Sequence, residues 1–112
     1  MKQLSFQAAT GERLMLSQTE TAVERMKGLL GKKLELLSGL WILPCNSIHT
    51  IGMRYPLDLV YLDKTTKIIK LVENIPAWRF SLSLSAHSVI EFNAGTIKRF
   101  DFQLGQTLDI EK

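Results

Sequence analysis

The chain has 112 residues and a mass of 12.7 kDa, with 46% hydrophobic residues, 22% charged residues and a net charge of +3. These values fit one domain spanning residues 1–112 with a self-sufficient core, and they exclude a disordered tail, a collagen-like repeat and a disulfide scaffold. No apolar run approaches the ~20 residues of a membrane-spanning helix, and the basic residues fall in small scattered groups, so neither a transmembrane segment nor nucleic-acid binding is expected.

Leu4, Phe6 and Ala8 alternate with polar neighbours, and Thr10-Gly11 turns the chain into Leu14-Met15-Leu16, which reads as an opening hairpin. Ser17–Glu20 and Thr21–Glu24 both have capping-box spacing. Ala22, Val23, Met26, Leu29 and Leu30 then recur at helical spacing before Gly31. A helix over about residues 19–30 with one buried stripe is predicted. From Gly39 the texture becomes β. Leu40–Leu43 is a short apolar run ended by Pro44, and Leu57–Leu62 and Lys67–Val72 flank the polar turn Asp63–Thr66 as a second hairpin. Ser88–Phe92 is another strand, Thr96–Phe100 a short helical turn, and Thr107–Ile110 a last strand after Gly105. About eight short strands and one peripheral helix predict a mainly β fold, a compact barrel or sandwich.

The reactive side chains concentrate between Pro44 and Asp58. Cys45, the one cysteine, leaves no intrachain disulfide and does not fix a redox compartment. With His49 it could form a thiolate nucleophile and its base, provided Asn46-Ser47 bend the chain. The same residues also read as an inert buried thiol and a histidine in a cleft wall. Two ligands fall short of a zinc site, so neither a metal nor another cofactor is expected.

Asp58 and Glu91 lie on strands apolar on both faces, which predicts carboxylates at a barrel mouth or answering buried donors. Arg54, Arg79 and backbone N–H groups are the available partners. If the two carboxylates converge they form an acid/base pair; otherwise each anchors structure. Trp78, within Pro76–Phe80, either stacks on a ligand or folds back over the core. Gly52 and Gly95 read as turn positions needing positive φ.

The run Cys45-Asn46-Ser47-Ile48-His49-Thr50-Ile51-Gly52-Met53-Arg54-Tyr55-Pro56-Leu57-Asp58, continued to Leu62-Asp63, resembles the central signature of the bacterial and archaeal domain-of-unknown-function 192 family, also called uncharacterised protein family 0127. Arg25-Met26-Lys27-Gly28-Leu29-Leu30-Gly31, Pro76-Ala77-Trp78-Arg79, Ala86-x-x-Val89-x-Glu91 and Ala94-Gly95 match its other blocks. Lys32, Asn93 and Gln106 depart from its pattern. The resemblance implies a β-barrel or sandwich with a peripheral helix and no established reaction. It also carries an association with pilus or secretion genes, and many relatives have a leader or anchor. As it stands the chain is expected to be cytoplasmic, or periplasmic if a leader has been removed.

Two functions are open. One is a non-enzymatic binding module whose hollow, lined by His49, Arg54, Asp58, Trp78 and Glu91, holds a small polar ligand or a partner peptide. The alternative is a hydrolase- or transferase-type enzyme with Cys45 as nucleophile, His49 as base and Asp58 or Glu91 as the orienting carboxylate.

Overall fold

The structure, a computed structural model, describes residues 1–29 and 34–111. β1 (Lys2–Gln7) and β2 (Arg13–Gln18) form the expected opening hairpin, with Leu4 opposite Leu16 and Phe6 opposite Leu14. Helix α1 (Ala22–Lys27) follows, and then β3 (Ser38–Ile42), β4 (Ser47–His49), β5 (Leu57–Leu62), β6 (Ile68–Ile75), β7 (Phe80–Leu82), β8 (Ser88–Asn93) and α2 (Thr96–Arg99).

Six strands form one sheet in the order β1-β2-β3-β8-β5-β6, and β4 pairs with β7 in a separate ribbon. Only β2 and β3 run parallel within the large sheet, so the chain must cross over between them, and α1 lies on that connection. β1 and β6 remain edges, so the sheet does not close into the barrel allowed by the sequence. The mainly β, single-domain expectation holds, with eight strands and two short helices among the described residues.

β5 is buried along its whole length because both of its faces meet core. Val60 and Leu62 join Phe6, Leu14, Leu16, Phe92, Ile97 and Phe102 on one face. Leu57, Leu59 and Tyr61 join Leu40, Ile42, Val89, Ile48 and Met53 on the other. This is the period-two alternation of a strand with a core on each side. α2 contributes Ile97 to the first layer, and the β4–β7 ribbon contributes Ile48 to the second. At Gly39 the backbone leaves no room for a side chain: a Cβ there would meet the Phe92 ring at 2.6 Å. No helix among the described residues is long and apolar enough to cross a membrane.

The helix differs from its prediction. Of the two capping boxes, the fold uses the second: Glu24 N–H donates to Thr21 Oγ1 at 3.1 Å and Thr21 N–H donates to Glu24 Oε1 at 3.2 Å. α1 then lasts six residues and buries none of them. Val23 and Met26 are 59% and 79% exposed, and among the described residues of the stripe only Leu29, just past the helix, reaches the core. The apolar spacing therefore marks a surface stripe here. Leu30, Gly31 and Lys32 lie outside the described residues.

The last predicted strand is reduced to two isolated bridges, Lys67 with Thr107 and Ser5 with Glu111. β4 and β7, three residues each, were missed because an alternation that short carries no periodic signal. Gly52 and Gly95 do adopt positive φ, at 83° and 94°.

Candidate functional site

The register of β8 decides which side chains meet. Glu91 lies opposite Leu40 of β3 and Leu59 of β5, and so faces the Val89 and Leu59 side of the sheet. Asp58 lies opposite Phe92 and points to the other face, with Val60 and Leu62. The two buried carboxylates are thus separated by the sheet itself and form no acid/base pair.

Their surroundings differ as much as their directions. Asp58 Oδ1 accepts the Asn74 N–H at 2.8 Å, while Oδ2 accepts the N–H groups of Gly95 at 3.0 Å and Ile97 at 2.9 Å. One carboxylate therefore ties β6 to the start of α2. Three charge-assisted hydrogen bonds from backbone donors satisfy it completely as a structural anchor.

Glu91 is 3% exposed, and its Oε1 has no hydrogen-bond partner. Burial alone pushes its carboxyl up to about 7. Two of the donors around it are engaged elsewhere. The Tyr61 hydroxyl donates to Ser81 Oγ at 2.9 Å, and the Cys45 thiol donates to the Ser47 carbonyl at 3.0 Å. Glu91 nevertheless acts on both, since its charge adds to the burial that raises the Tyr61 phenol and the Cys45 thiol. Tyr55, whose phenol is raised chiefly by burial, also feels Glu91.

Glu91 closes the floor of a cavity of about 80 Å³ between α1 and β4. Arg25, Lys27 and Gly28 line it from the helix, and Cys45, Ser47 and His49 line it from the loop and ribbon opposite. Its apolar wall includes Ile42, Ile48 and Met53, and Met26 and Ile51 stand exposed at the rim. Gly28 ends α1 at a φ of 50° and lies so close that a Cβ would come within 3.3 Å of Glu91 Oε1.

Of the residues singled out in the sequence, Cys45, His49 and Glu91 come together here. Arg54, Asp58 and Trp78 do not. Arg54 lines a separate shallow hollow with Tyr55, Pro56, Asn74, Pro76 and Ala77. Trp78 is 68% exposed at a φ of 65°, with its N–H held by the Thr50 carbonyl at 3.0 Å. Thr50 braces that loop further: its N–H donates to the Arg79 carbonyl at 2.9 Å, and its hydroxyl donates to the Pro76 carbonyl at 2.7 Å and accepts the Arg79 N–H at 2.8 Å.

Arg25, Lys27 and Gly28 were missed as site residues. A charged helix face is indistinguishable in sequence from a solvated one, and only the crossover brings it over Glu91. The available signal was the Arg25-x-x-Gly28-Leu29 block of the family resemblance.

Cys45 and His49 share the cavity without a hydrogen bond between them, and burial first, with Glu91 adding, holds the thiol above its ordinary range. Arg25 opposes that shift. No group of three or more His, Cys, Asp or Glu among the described residues could hold a metal ion.

The same architecture occurs in solved proteins. One, of unknown function, from Novosphingobium aromaticivorans DSM 12444, superposes with a TM-score of 0.79 at 18% identity, over 98% of this chain and 84% of its own. Another, from Sinorhizobium meliloti 1021 and described as a candidate transcription regulator, gives a TM-score of 0.82 at 20% identity, over 96% of this chain and 91% of its own. At these identities the likeness shows the fold alone. No curated protein matches the sequence. The model of one family, described as "Uncharacterized ACR", matches residues 5–110. With nearly its whole length matched, the chain belongs to the domain-of-unknown-function 192 family.

Proposed function

We propose that the protein is a non-catalytic binding module and that the cavity between α1 and β4 takes a small polar ligand or the polar end of a partner peptide. The observation that carries this reading is Glu91 Oε1, a buried acceptor at a cavity floor with no donor of its own. An unpaired buried oxygen costs about 1–3 kcal/mol in desolvation, and an incoming donor would recover part of that cost. The Arg54, Asp58 and Trp78 side chains are not part of this site.

The alternative, a nucleophilic Cys45 with His49 as base, requires a thiolate. Burial and Glu91 both oppose one, and the thiol proton is already given to the Ser47 carbonyl. The binding reading is therefore preferred.

A screen of small polar fragments by amide chemical-shift perturbation tests it, on wild type and on Glu91→Gln. The reading predicts saturable shifts clustered at Gly28, Cys45 and Glu91 that weaken in the variant. Hits scattered over the surface, or no hits, would remove the cavity as a binding site.

A further inference from the structure

We propose that the ligand is a zwitterion of the α-amino acid class, its ammonium group donating to Glu91 Oε1 and its carboxylate meeting Arg25. The inference rests on the cavity being the binding site and adds the chemistry of what fills it.

The floor asks for a cation. Glu91 offers a buried oxygen with no partner, and the helix approaches it through its C-terminal end, where carbonyl groups gather. The Gly28 N–H is already spent on the Glu24 carbonyl at 3.0 Å, so it brings no donor to the carboxylate. An ammonium group supplies three donors and the opposite charge, the strongest neutral-pH answer to a lone carboxylate oxygen.

The mouth asks for an anion. Arg25 and Lys27 line the same cavity from the last turn of α1, and Arg25 makes no ion pair with a described residue. A simple amine would have to pass both cations and leave them unanswered. Arg25, in the last turn of α1, and Glu91, in the middle of β8, line this one cavity together with Cys45. A ligand that carries an ammonium and a carboxylate on one carbon can satisfy both ends, and the planar guanidinium fork suits a carboxylate. A volume of about 80 Å³ admits that polar head, while an apolar side chain would rest on the exposed Met26 and Ile51.

Three probes of one carbon skeleton test the assignment by amide chemical-shift titration at pH 7.5: L-leucine, 3-methylbutylamine, which lacks the carboxylate, and 4-methylpentanoate, which lacks the ammonium. L-leucine is expected to shift Gly28, Cys45 and Glu91 saturably, with each truncated probe at least tenfold weaker. Glu91→Gln should weaken L-leucine at least tenfold without weakening 4-methylpentanoate, and Arg25→Gln should weaken L-leucine without weakening the amine. The probe series on wild type stands even if a variant misfolds. Equal binding of 4-methylpentanoate and L-leucine, or no response to any of the three while other fragments bind in the cavity, overturns the zwitterion and leaves the binding module standing. No fragment of any class in the cavity overturns both.

Discussion

Gly28 and Glu91, one at the end of a surface helix and the other in the middle of a buried strand, are separated by little more than the space of a methyl group. A Cβ on Gly28 would approach Glu91 Oε1 to 3.3 Å. Gly28 also holds a φ of 50° that side chains disfavour. Gly28→Ala is expected to cost about 1–3 kcal/mol from backbone strain alone and to crowd the cavity floor. Urea unfolding should show a lower midpoint with unchanged slope, and the fragment-induced shifts at Cys45 and Glu91 should weaken.

The raised carboxyl of Glu91 makes stability depend on pH. Below about 4.5 the group is protonated in both the folded and the unfolded chain and contributes no penalty. Between about 4.5 and about 7 the unfolded chain releases the proton while the folded chain keeps it, so stability falls as pH rises. A carboxyl moved from its ordinary 4.5 to about 7 corresponds to about 3 kcal/mol lost by pH 7. Urea unfolding between pH 4 and pH 8 should show this loss in wild type relative to Glu91→Gln, which keeps the shape without the charge. Cys45, His49, Arg25 and Lys27 line the cavity with Glu91, and Tyr55 and Tyr61 feel its charge. The two phenols and the thiol, raised by burial, ionise well above this window, and the comparison with Glu91→Gln cancels what the remaining groups contribute.

Asp58 should behave in the opposite way, as scaffold. Asp58→Asn turns a carboxylate that accepts three backbone N–H groups into an amide able to accept fewer, with its own N–H₂ facing donors. A loss of about 3 kcal/mol is expected from the stranded donors. Because Asp58 lies on the far face of the sheet, ligand affinity in the folded fraction should stay within about twofold of wild type. Urea unfolding and a fragment titration on the same sample separate the two effects.

The contrast between these carboxylates shows how far the sequence could be read. The positions of the longer strands, the turn at Asp63–Thr66 and the double-sided burial of β5 follow from alternation and composition, and they were legible; the three-residue β4 and β7 were not. So was the importance of Asp58 and Glu91, since a charge within an apolar strand must be answered. Which face each one took, and whether anything answered it, depends on strand order across the sheet. No local pattern encodes that order. The helix failed for a related reason: Val23 and Met26 have core spacing, but six residues over a crossover are held by the Thr21–Glu24 capping box and by Leu29 beyond the helix end. Trp78 was open between a ligand platform and a lid over the core; it stands exposed on a loop held by Thr50 and does not line the cavity.

Cys45 provides a check on the preference against thiol chemistry. Burial and the neighbouring carboxyl keep the thiol protonated through neutral pH. Iodoacetamide labelling is expected to be slower at pH 7 than that of a free cysteine and to be still rising at pH 9. A rate already level by pH 7 would mean an activated thiolate and would restore the nucleophile reading.

The measurement closest to the centre of this account is the carboxyl-carbon NMR titration of Glu91 in the ligand-free protein. An unpaired buried acid requires a midpoint near 7, well above an ordinary glutamate at 4.5. A midpoint at or below 4.5 would mean that the oxygen already has a donor or open water, and the vacancy on which the binding site depends would not exist.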